Sequence, residues 1–330
     1  MIKLGFVGLG WWGQELAKAA GQLPNRLEIA AAFDPDARMC EEFSRTYNAP
    51  SCNSYAEMLA NPALDGVVLS TPHSLHAEQI VLAAKAGKHI FVEKPLALNL
   101  EDAIRALSIC AARQIQLAVG HNRRFAPAAQ HLQLWVDQGR LGQILHVEAH
   151  FSGNSALKFT PQTWRANDVE SPAGSLVSIG LHMIDTIQWL LSPIQRLSCI
   201  SKRQVLDVPM NDTTAVLFEL ESGVTGTLGT LFATPLKSML RVYGTRGMAE
   251  AKGDFTELTW HDDQGAPAII PLENRDTLFT EMESFCDAIE QHVPFPVAPT
   301  EAARNVAVID ACRKSSSDQG LWVNVATVQA

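Results

Sequence analysis

The sequence predicts an α/β protein whose first third folds as a doubly wound parallel sheet with helices on both faces. Short apolar runs recur there without strict alternation of polar and apolar residues, which is typical of strands buried on both sides. The runs are IKLGFVG, LEIAAAF, DGVVLS, HIFVEKP and IQLAVG. Amphipathic stretches such as SLHAEQIVLAAKAG and LEDAIRALSICAARQ separate them and indicate helices. Repeats of this kind bind ligands at the carboxyl ends of their strands.

Length and composition indicate a globular protein of two domains. The chain has 330 residues, of which 47% are hydrophobic and 18% are charged, so it can bury a large interior. The apolar βα repeats end near residue 120, and we therefore predict domains over 1–122 and 123–330. Lys and Arg total 26 against 35 Asp and Glu, a net charge of -9 without any block of like charge. This balance argues against nucleic acid or an anionic membrane as a partner.

The N-terminus and the cysteines favour a cytoplasmic location. The opening stretch, MIKLGFVGLGWWG, has a single early lysine and an apolar run broken by glycines, which predicts a first strand and not a signal peptide. No segment approaches the length of a transmembrane span. The 6 cysteines lack C-x-x-C spacing, so we expect neither a zinc site nor a disulfide framework.

Three glycines follow the first predicted strand in the pattern G-x-G-x-x-G. Gly8, Gly10 and Gly13 stand where the strand ends and the first helix begins. In that context the glycines permit a tight turn, close approach of a pyrophosphate and close packing of helix on strand. The pattern predicts dinucleotide binding. Trp11 and Trp12 fill the variable positions, either as packing residues or as a shield for the cofactor.

The tip of the second predicted strand carries an acidic residue that favours NAD. Asp34 ends the run AAFD, where a carboxylate can accept both ribose hydroxyls of NAD and would repel the 2′-phosphate of NADP. Arg38 lies one helical turn further on and can offset that repulsion, which leaves NADP open. The alternative is that Asp34 only caps the next helix, a role that Asp36 can fill equally well.

Two later strands end in polar segments at the same predicted edge of the sheet. Lys94 follows the strand HIFVE and precedes a proline, and the segment LSTPHSLH over 69–76 follows the strand before it. We expect both segments to approach the cofactor, although an isolated lysine at a strand end most often reaches into solvent. The predicted cofactor-binding residues here are Ser70, Thr71, Pro72, His76, Glu93 and Lys94.

A helix predicted over 172–191 carries a polar stripe of unusual composition. Ser178, His182 and Asp185 fall within one narrow stripe, which Trp189 extends, and leucine, isoleucine and methionine occupy the opposite side. The stripe lacks Lys, Arg and Glu, which favours the wall of a cleft over the alternative of a solvated face. Histidine is the natural proton acceptor near neutral pH, and a carboxylate one turn away can orient its ring.

These residues resemble the glucose-fructose oxidoreductase / inositol dehydrogenase / MocA family over nearly the whole chain. The motifs that carry the resemblance are the glycine pattern, STPHSLHAEQIVLAAKAGKHIFVEKPLA, GHNRRFAP, the Trp-Arg pair at 164–165 and GLHMID. The resemblance implies that Lys94 is the motif lysine, with a cis peptide bond to Pro95, and that His182 and Asp185 complete the catalytic set. Asp185 is expected to orient His182 or a substrate hydroxyl. Many members have an aspartate at the position of Ser178, where this chain keeps only a hydroxyl.

The resemblance also implies a reaction. A secondary alcohol is oxidised, or a ketone reduced, on a polyhydroxylated small molecule; hydride exchanges with nicotinamide while His182 takes the proton and Lys94 stabilises the oxygen. Substrates that need the missing aspartate, such as myo-inositol, become less favoured. The predicted substrate-binding residues are Asn122, Arg123, Phe125, Trp164, Arg165, Ser178 and His182. The two arginines suit a carboxylated or phosphorylated sugar, and the alternatives are that either binds the cofactor or forms a structural ion pair. Two alternatives are a glycosidase that oxidises and re-reduces one sugar carbon, and a nucleotide-sensing regulator without catalysis.

For the second half, the resemblance implies an α+β domain on a large open, mostly antiparallel sheet. One face of that sheet commonly forms a subunit interface, so a homodimer or homotetramer is expected. The local pattern agrees with this architecture: ILHVEAHFSG alternates as a half-buried strand, and DTTAVLFELESGVTGTLGTLF indicates a hairpin around Ser222-Gly223. MLRVYGTRGMAEA adds a strand pair, and TEMESFCDAIEQ and TEAARNVAVIDACRKSS are helical.

Overall fold

The structure is a computed structural model that describes residues 1–262 and 265–328. The strands are β1 (Ile2–Val7), β2 (Leu27–Phe33), β3 (Gly66–Leu69), β4 (His89–Glu93), β5 (Leu117–Gly120), β6 (Ile144–Ser152), β7 (Ile194–Lys202), β8 (Thr213–Leu220), β9 (Thr225–Leu231), β10 (Lys237–Gly244), β11 (Gly247–Lys252), β12 (Glu257–His261), β13 (Ala268–Ile270) and β14 (Val323–Asn324). The helices are α1 (Trp11–Ala20), α2 (Ala37–Tyr47), α3 (Tyr55–Ala60), α4 (His76–Lys85), α5 (Leu100–Ala112), α6 (Pro127–Asp137), α7 (Leu181–Leu190), α8 (Thr277–Gln291) and α9 (Pro299–Ser317).

The chain divides into two compact units, and one of them is discontinuous in sequence. The first unit comprises Met1–Asn122 and Asp276–Ala303, and the second comprises Arg123–Arg275 and Arg304–Ala330. The predicted division into 1–122 and 123–330 therefore differs from the structure in one segment, which contains α8. The physical reason is packing within the first unit: the Phe285 ring of α8 lies 5.8 Å from the Phe91 ring of β4.

The first unit contains the predicted doubly wound sheet. Its strands are ordered β2-β1-β3-β4-β5 and all of them pair in parallel. Strands β3 and β5 are buried along their whole length, which is why their sequences are continuous apolar runs. The direction in which successive strands are added to the sheet reverses at β1: β2 lies on one side of β1, and β3, β4 and β5 follow on the other. Such a switch point is where doubly wound sheets bind ligands.

Side-chain caps explain where several helices of the first unit begin. Asp36, Ser54, Asn99 and Asp276 each accept a hydrogen bond from a backbone N–H in the first turn of the helix that follows them. Helix α1 differs, because its cap residue is Gly10 and no side chain caps it. Its first N–H groups therefore face the glycine-rich turn without a competing side chain.

The second unit is built on an open sheet, as expected. In the described part of the chain its strands are ordered β13-β12-β11-β10-β6-β9-β8-β7-β14, and the pairings are antiparallel except that of β6 with β9. The predicted hairpin joins β8 to β9 through Gly223, whose φ of +84° suits a glycine. The predictions of an α/β first unit and a mostly antiparallel second sheet are both confirmed.

The two faces of the second sheet have different surroundings. Cys199, Val216, Leu228, Ala149 and Leu240 lie across neighbouring strands on one face, and all of them are buried in the hydrophobic core of this unit. Side chains from α6, α7 and α9 complete that core. A fully buried leucine side chain contributes about 1.5–3 kcal/mol, so this one-sided core holds the unit together.

The opposite face of the second sheet is partly exposed and carries more polar residues. Across β8, β9, β6, β10 and β11, neighbouring positions on this face are occupied in turn by Leu217, Thr227, Glu148, Arg241 and Glu250.

Among residues 1–262 and 265–328, the helices are all too short or too polar to cross a membrane.

Candidate functional site

The glycine-rich turn after β1 is shaped by three glycines with different local requirements. Gly8 has a φ of +84°, and a Cβ on it would lie 2.7 Å from the carbonyl oxygen of Ser70. A Cβ on Gly13 would lie 2.1 Å from the carbonyl oxygen of Gly8, so this glycine lets α1 pack directly on the turn. A Cβ on Gly10 would meet nothing within 4 Å. The turn thus has a left-handed backbone conformation that needs glycine at Gly8, close packing at Gly13 and open space at Gly10.

This turn fits the pyrophosphate of a dinucleotide. The open space at Gly10 adjoins the first turn of α1, where backbone N–H groups and the positive end of the helix dipole favour an anion. The first turn of α1 contains no acidic residue that would repel one. Trp11 is 73% exposed, whereas Trp12 is partly buried and contacts Trp11 with ring centroids 5.2 Å apart. In the described part of the chain, the buried Trp12 Nε1 has no hydrogen-bond partner.

Asp34 joins the tip of β2 to the glycine-rich turn. Its Oδ2 accepts a hydrogen bond from the Leu9 N–H at 2.8 Å, and its Oδ1 accepts one from the Asp36 N–H at 2.9 Å. Each carboxylate oxygen has a second lone pair, so the group can still accept from ribose hydroxyls. Asp36, and not Asp34, caps α2. Arg38 is 89% exposed at its side chain and pairs with Asp36 at 2.8 Å, so its charge is directed at Asp36 and not at Asp34.

The segment after β3 contacts the same turn through Ser70. The Ser70 hydroxyl donates to the Gly8 carbonyl oxygen at 2.7 Å. The Thr71 hydroxyl donates to the Gln79 side-chain oxygen at 2.6 Å, and Pro72 precedes a short 3-10 turn at His73–Leu75. Ser70 and Thr71 therefore shape the loop through hydrogen bonds within the first unit, and their predicted contacts with a cofactor stay a prediction.

The segment after β4 holds Lys94 by hydrogen bonds on both sides of it. The Lys94-Pro95 peptide bond is cis. The buried Glu93 accepts from the Lys94 N–H at 3.3 Å through Oε2, and the ring of His76 contacts the Pro95 carbonyl oxygen at 2.7 Å. Gly120 at the end of β5 makes room for Glu93, since a Cβ there would lie 2.7 Å from the Glu93 Oε1. Lys94 is partly buried, which differs from a lysine that only extends into water.

Adjacent arginines at 123 and 124 pair with different carboxylates of the second unit. Arg123 binds Asp254 through Nε at 3.0 Å and Nη2 at 2.6 Å. Arg124 binds Asp185 of α7 through Nε at 2.8 Å and Nη2 at 2.7 Å, and these side chains are only 3% and 1% exposed. The sequence placed Arg123 in the substrate pocket and gave Arg124 no role.

Two flanking residues of this segment are buried. Asn122, the last residue of this stretch in the first unit, donates from Nδ2 to the Thr277 hydroxyl at 3.3 Å. Phe125 is 5% exposed and closes a short 3-10 turn over 122–125. Their predicted roles as substrate-binding residues stay predictions.

The predicted helix over 172–191 is α-helical only from Leu181, because Leu176–Gly180 forms a π-helical turn. Ser178, His182 and Asp185 are all buried, which excludes the alternative of a solvated polar face. The stripe does not simply face away from the core, however, since apolar and polar residues of α7 are buried alike. The His182 ring lies 6.2 Å from the Phe151 ring, centroid to centroid.

Asp185 belongs to a buried polar network within the second unit. Besides the two bonds from Arg124, its Oδ1 accepts from the Asn305 Nδ2 of α9 at 2.7 Å. The Gln188 side chain donates to Asn305 at 2.8 Å and accepts from the Ile194 N–H at 3.0 Å. The predicted role of Asp185 was to orient His182 or a substrate hydroxyl. The network adds a second role, in which Asp185 joins α7 to α9 and to the segment before α6.

The Trp-Arg pair at 164–165 forms a cation–π contact. The Arg165 guanidinium carbon lies 4.6 Å from the Trp164 ring centroid. Burial lowers the pKa of Arg165 from its ordinary value. In the described part of the chain Arg165 has no carboxylate within ion-pair distance. The Arg165 guanidinium therefore contacts an aromatic ring, whereas those of Arg123 and Arg124 are paired with carboxylates.

Sequence reasoning missed three residues that support the site. Arg124 could not be distinguished from Arg123, because the two neighbours have the same chemistry. Asn305 gave a signal that was overlooked: it is a lone amide within the apolar stretch NVAVIDAC of α9. Gly120 gave no signal, since only the structure reveals the Glu93 carboxylate beside its Cα.

Comparison with known proteins finds family matches in both halves of the chain. Residues 2–121 match the family described as "Oxidoreductase family, NAD-binding Rossmann fold", and residues 129–250 match the "GFO/IDH/MocA C-terminal domain". The rhizopine catabolism protein MocA of Rhizobium meliloti is 27% identical over 94% of this chain and 93% of its own length. Glucose-6-phosphate 3-dehydrogenase of Bacillus subtilis is 29% identical over 58% of this chain, and the match spans about half, 54%, of that relative.

Solved structures share the fold over nearly the whole chain. An oxidoreductase from Desulfitobacterium hafniense DCB-2, described as NADPH-dependent, superposes with a TM-score of 0.93 and 26% identity, covering 99% of this chain and 98% of that one. Levoglucosan dehydrogenase in complex with NADH and levoglucosan superposes with a TM-score of 0.90 at 20% identity, covering 98% of this chain and 99% of that one, a likeness of fold alone.

The fold and the glycine-rich turn define the first unit as an NAD-binding Rossmann domain of the oxidoreductase class. The match continues through the second unit, and the chain belongs to the Gfo/Idh/MocA family.

Proposed function

We propose that the chain is an NAD-dependent oxidoreductase that interconverts a secondary alcohol and a ketone, or an aldose and a lactone, on a polyhydroxylated small molecule. The observation that carries this proposal is the anchoring of Lys94 at the carboxyl end of β4, the edge at which a Rossmann sheet binds its ligand. The relative named glucose-6-phosphate 3-dehydrogenase supports a sugar-like substrate.

Each proposed catalytic residue has a distinct task. NAD supplies the acceptor for the hydride that leaves the carbinol carbon. His182 takes the hydroxyl proton, since an imidazole is a suitable base near neutral pH. Lys94 donates a hydrogen bond to the same oxygen and stabilises its developing negative charge. Asp185 keeps α7 in place through Arg124 and Asn305, so that His182 is held in position.

The cofactor is NAD in this proposal, on the strength of Asp34. Its carboxylate stands at the tip of β2 with acceptor capacity for the ribose hydroxyls, and Arg38, the nearby cation, is paired with Asp36. A 2′-phosphate would meet the negative charge of Asp34 without a free guanidinium to offset it. NADH should therefore bind more tightly than NADPH, which direct titration of both measures.

The substrate is proposed to carry several hydroxyls and an anionic group. Arg165 has a desolvated guanidinium without a carboxylate partner in the described residues, whereas Arg123 already pairs with Asp254. A uronate or a sugar phosphate would satisfy such a cation. We expect Arg165→Met to raise the KM for an anionic sugar about 10-fold and to change that for a neutral polyol less than twofold. Equal changes for both substrates would contradict the assignment.

The function is tested first by a screen of polyols, aldoses, uronic acids, sugar phosphates and cyclitols with NAD, followed through the absorbance of reduced nicotinamide. Lys94→Ala and His182→Ala should then each lower kcat at least ~100-fold and leave the Kd for NADH nearly unchanged. Lys85→Ala, at an exposed lysine of α4, is the matched control. Loss of NADH binding together with turnover would contradict the catalytic assignment.

The same screen, extended by an aryl glycoside, separates the proposed dehydrogenase from its two alternatives. An aryl glycoside that releases its aglycone without net reduction of NAD would indicate the glycosidase. Tight NADH binding with no turnover of any substrate would indicate a nucleotide sensor.

We further propose that the chain forms a homodimer or homotetramer through the partly exposed face of the second sheet. Ile200 and Leu217 are 53% and 45% exposed on this face and are among the apolar residues that a partner would cover. Leu217→Arg should shift the protein to a smaller species in analytical ultracentrifugation. The wild type sedimenting as a monomer at micromolar concentration would contradict the proposal.

A further inference from the structure

His76, the first residue of α4, lies between two backbone carbonyl groups. Its Nδ1 is 2.7 Å from the Pro95 oxygen and its Nε2 is 3.0 Å from the Thr71 oxygen. The side chain is completely buried. Thr71 belongs to the loop after β3 and Pro95 to the segment after β4, so one ring joins the two strand ends within the first unit.

The chemistry of these contacts limits the protonation of the ring. A carbonyl oxygen only accepts hydrogen bonds, and a neutral imidazole has one N–H and one lone pair. In a neutral ring one of the two contacts would bring lone pair against lone pair at hydrogen-bond distance. In an imidazolium both nitrogens donate, and both contacts become charge-assisted hydrogen bonds. Such bonds offset part of the cost of burying the charge.

The position of the Pro95 carbonyl connects the ring with the proposed catalytic lysine. On one side of Lys94, its own N–H is held by Glu93, and on the other side the carbonyl of the next residue is held by His76. The backbone is thus fixed on both sides of the residue whose amino group must reach the substrate oxygen. A misplacement of about 1 Å can cost ~100-fold in rate.

We propose that His76 is a positioning residue for Lys94, and that it binds the Pro95 and Thr71 carbonyls as an imidazolium. This inference rests on the proposed function, in which Lys94 acts on the substrate. His76 itself touches neither substrate nor the reacting atoms in this proposal.

Two amide variants separate the two bonds of the ring. His76→Asn places an N–H donor near the position of Nδ1 and keeps the bond to Pro95, whereas His76→Gln places one near Nε2 and keeps the bond to Thr71. We expect His76→Asn to retain kcat within about threefold and His76→Gln to lower it about 10- to 100-fold, with an unchanged Kd for NADH. Equal kcat values for the two variants, at similar melting temperatures, would overturn the positioning role.

A double-variant cycle tests whether the effect passes through the lysine. In a Lys94→Ala background, His76→Gln should lower the residual rate no further, because the group it positions is gone. A purely structural role would instead lower the rate by the same factor in both backgrounds, which would overturn the inference.

The bridge itself is tested without any turnover. In protein with 15N-labelled histidine, both ring nitrogens of His76, assigned by comparison with His76→Gln, should show the shifts of protonated nitrogens at neutral pH. One protonated and one unprotonated nitrogen would overturn the imidazolium. If the wild type turned over no substrate in the screen, the proposed function and the positioning role that rests on it would fail, and the ring shifts would still decide the bridge.

Discussion

The Arg124–Asp185 pair should be the most costly ion pair to break in the second unit. Both side chains are almost completely buried, and two parallel N–H···O bonds at 2.8 and 2.7 Å join them. Removing one partner leaves the other as an uncompensated charge in the interior, which costs about 3–5 kcal/mol in comparable pairs. In Asp185→Leu the buried guanidinium of Arg124 loses this carboxylate, and Asn305 loses an acceptor as well.

The perturbation is a cycle of Arg124→Met, Asp185→Leu and the double variant. Each single variant should lower the free energy of unfolding by about 3–5 kcal/mol, which for a unit of this size lowers Tm by roughly 6–20 °C. The double variant should recover part of the loss, because it leaves no buried charge, and the coupling between the two sites should exceed about 2 kcal/mol.

Urea unfolding followed by tryptophan fluorescence is a suitable assay. Except for Trp11 and Trp12, the tryptophans belong to the second unit, so the signal follows mainly that unit. Trp189 is a local probe, since the Arg124 guanidinium carbon lies 5.6 Å from its ring centroid.

The matched control is the exposed pair Arg196–Glu219 of the same unit, whose side chains are 50% and 28% exposed. Arg196→Met should cost less than about 1 kcal/mol. The reasoning is refuted if Arg124→Met also costs less than about 1 kcal/mol, or if the double variant is as unstable as the sum of the singles.

Three further predictions follow from local geometry. Gly13→Ala should destabilise the first unit by about 1–3 kcal/mol, because its Cβ would overlap a backbone carbonyl, whereas Gly10→Ala should mainly weaken NADH binding; urea unfolding and NADH titration separate the two effects. Asp34→Ala should raise the Kd for NADH at least ~10-fold and that for NADPH less, since only NADH gains from the carboxylate; equal losses for both would contradict this. Burial alone would raise the pKa of Asp212, but hydrogen bonds from the backbone N–H groups of residues 204–206 outweigh burial and lower this pKa. The ionised Asp212 carboxylate therefore stabilises the folded state above pH ~4, and this contribution is lost as the pH falls. Asp212→Asn should therefore show a smaller drop in unfolding free energy between pH 7 and about pH 3 than the wild type.

The elements of the fold follow from the sequence because each has a strong local pattern. The first-unit strands are continuous apolar runs and fold as buried parallel strands, and Asn99 begins α5 as a side-chain cap. The strand pairs of the second sheet are marked by alternation and by a turn glycine at 223. The membership of α8 in the first unit has no such mark, since it depends on ring contacts such as that of Phe285 with Phe91.

The candidate functional residues are predictable only as far as their type and their place along a strand or helix. Asp34 at a strand tip and Lys94 at a strand end follow from the fold, because position alone brings them to the sheet edge. The hydrogen-bond or ion-pair partner of each side chain does not follow from the sequence. Arg38 pairs with Asp36 and not with Asp34, and this depends on side-chain directions at the start of α2 that the spacing does not fix. The π-helical turn before His182 also has no sequence signal and alters which residues share a face.

The buried network changes how a loss of activity at Asp185 should be interpreted. From spacing alone, Asp185 is a catalytic partner of His182, and a loss of turnover in Asp185→Asn would be attributed to chemistry. In the structure its carboxylate already accepts three hydrogen bonds from Arg124 and Asn305, so the same variant brings an amide against the guanidinium donors and loosens α7 itself. Stability and rate should therefore fall together at Asp185, whereas Lys94→Ala changes a lysine that is only partly buried and should lower mainly the rate. Catalytic and supporting roles are thus separated by measuring both quantities on each variant.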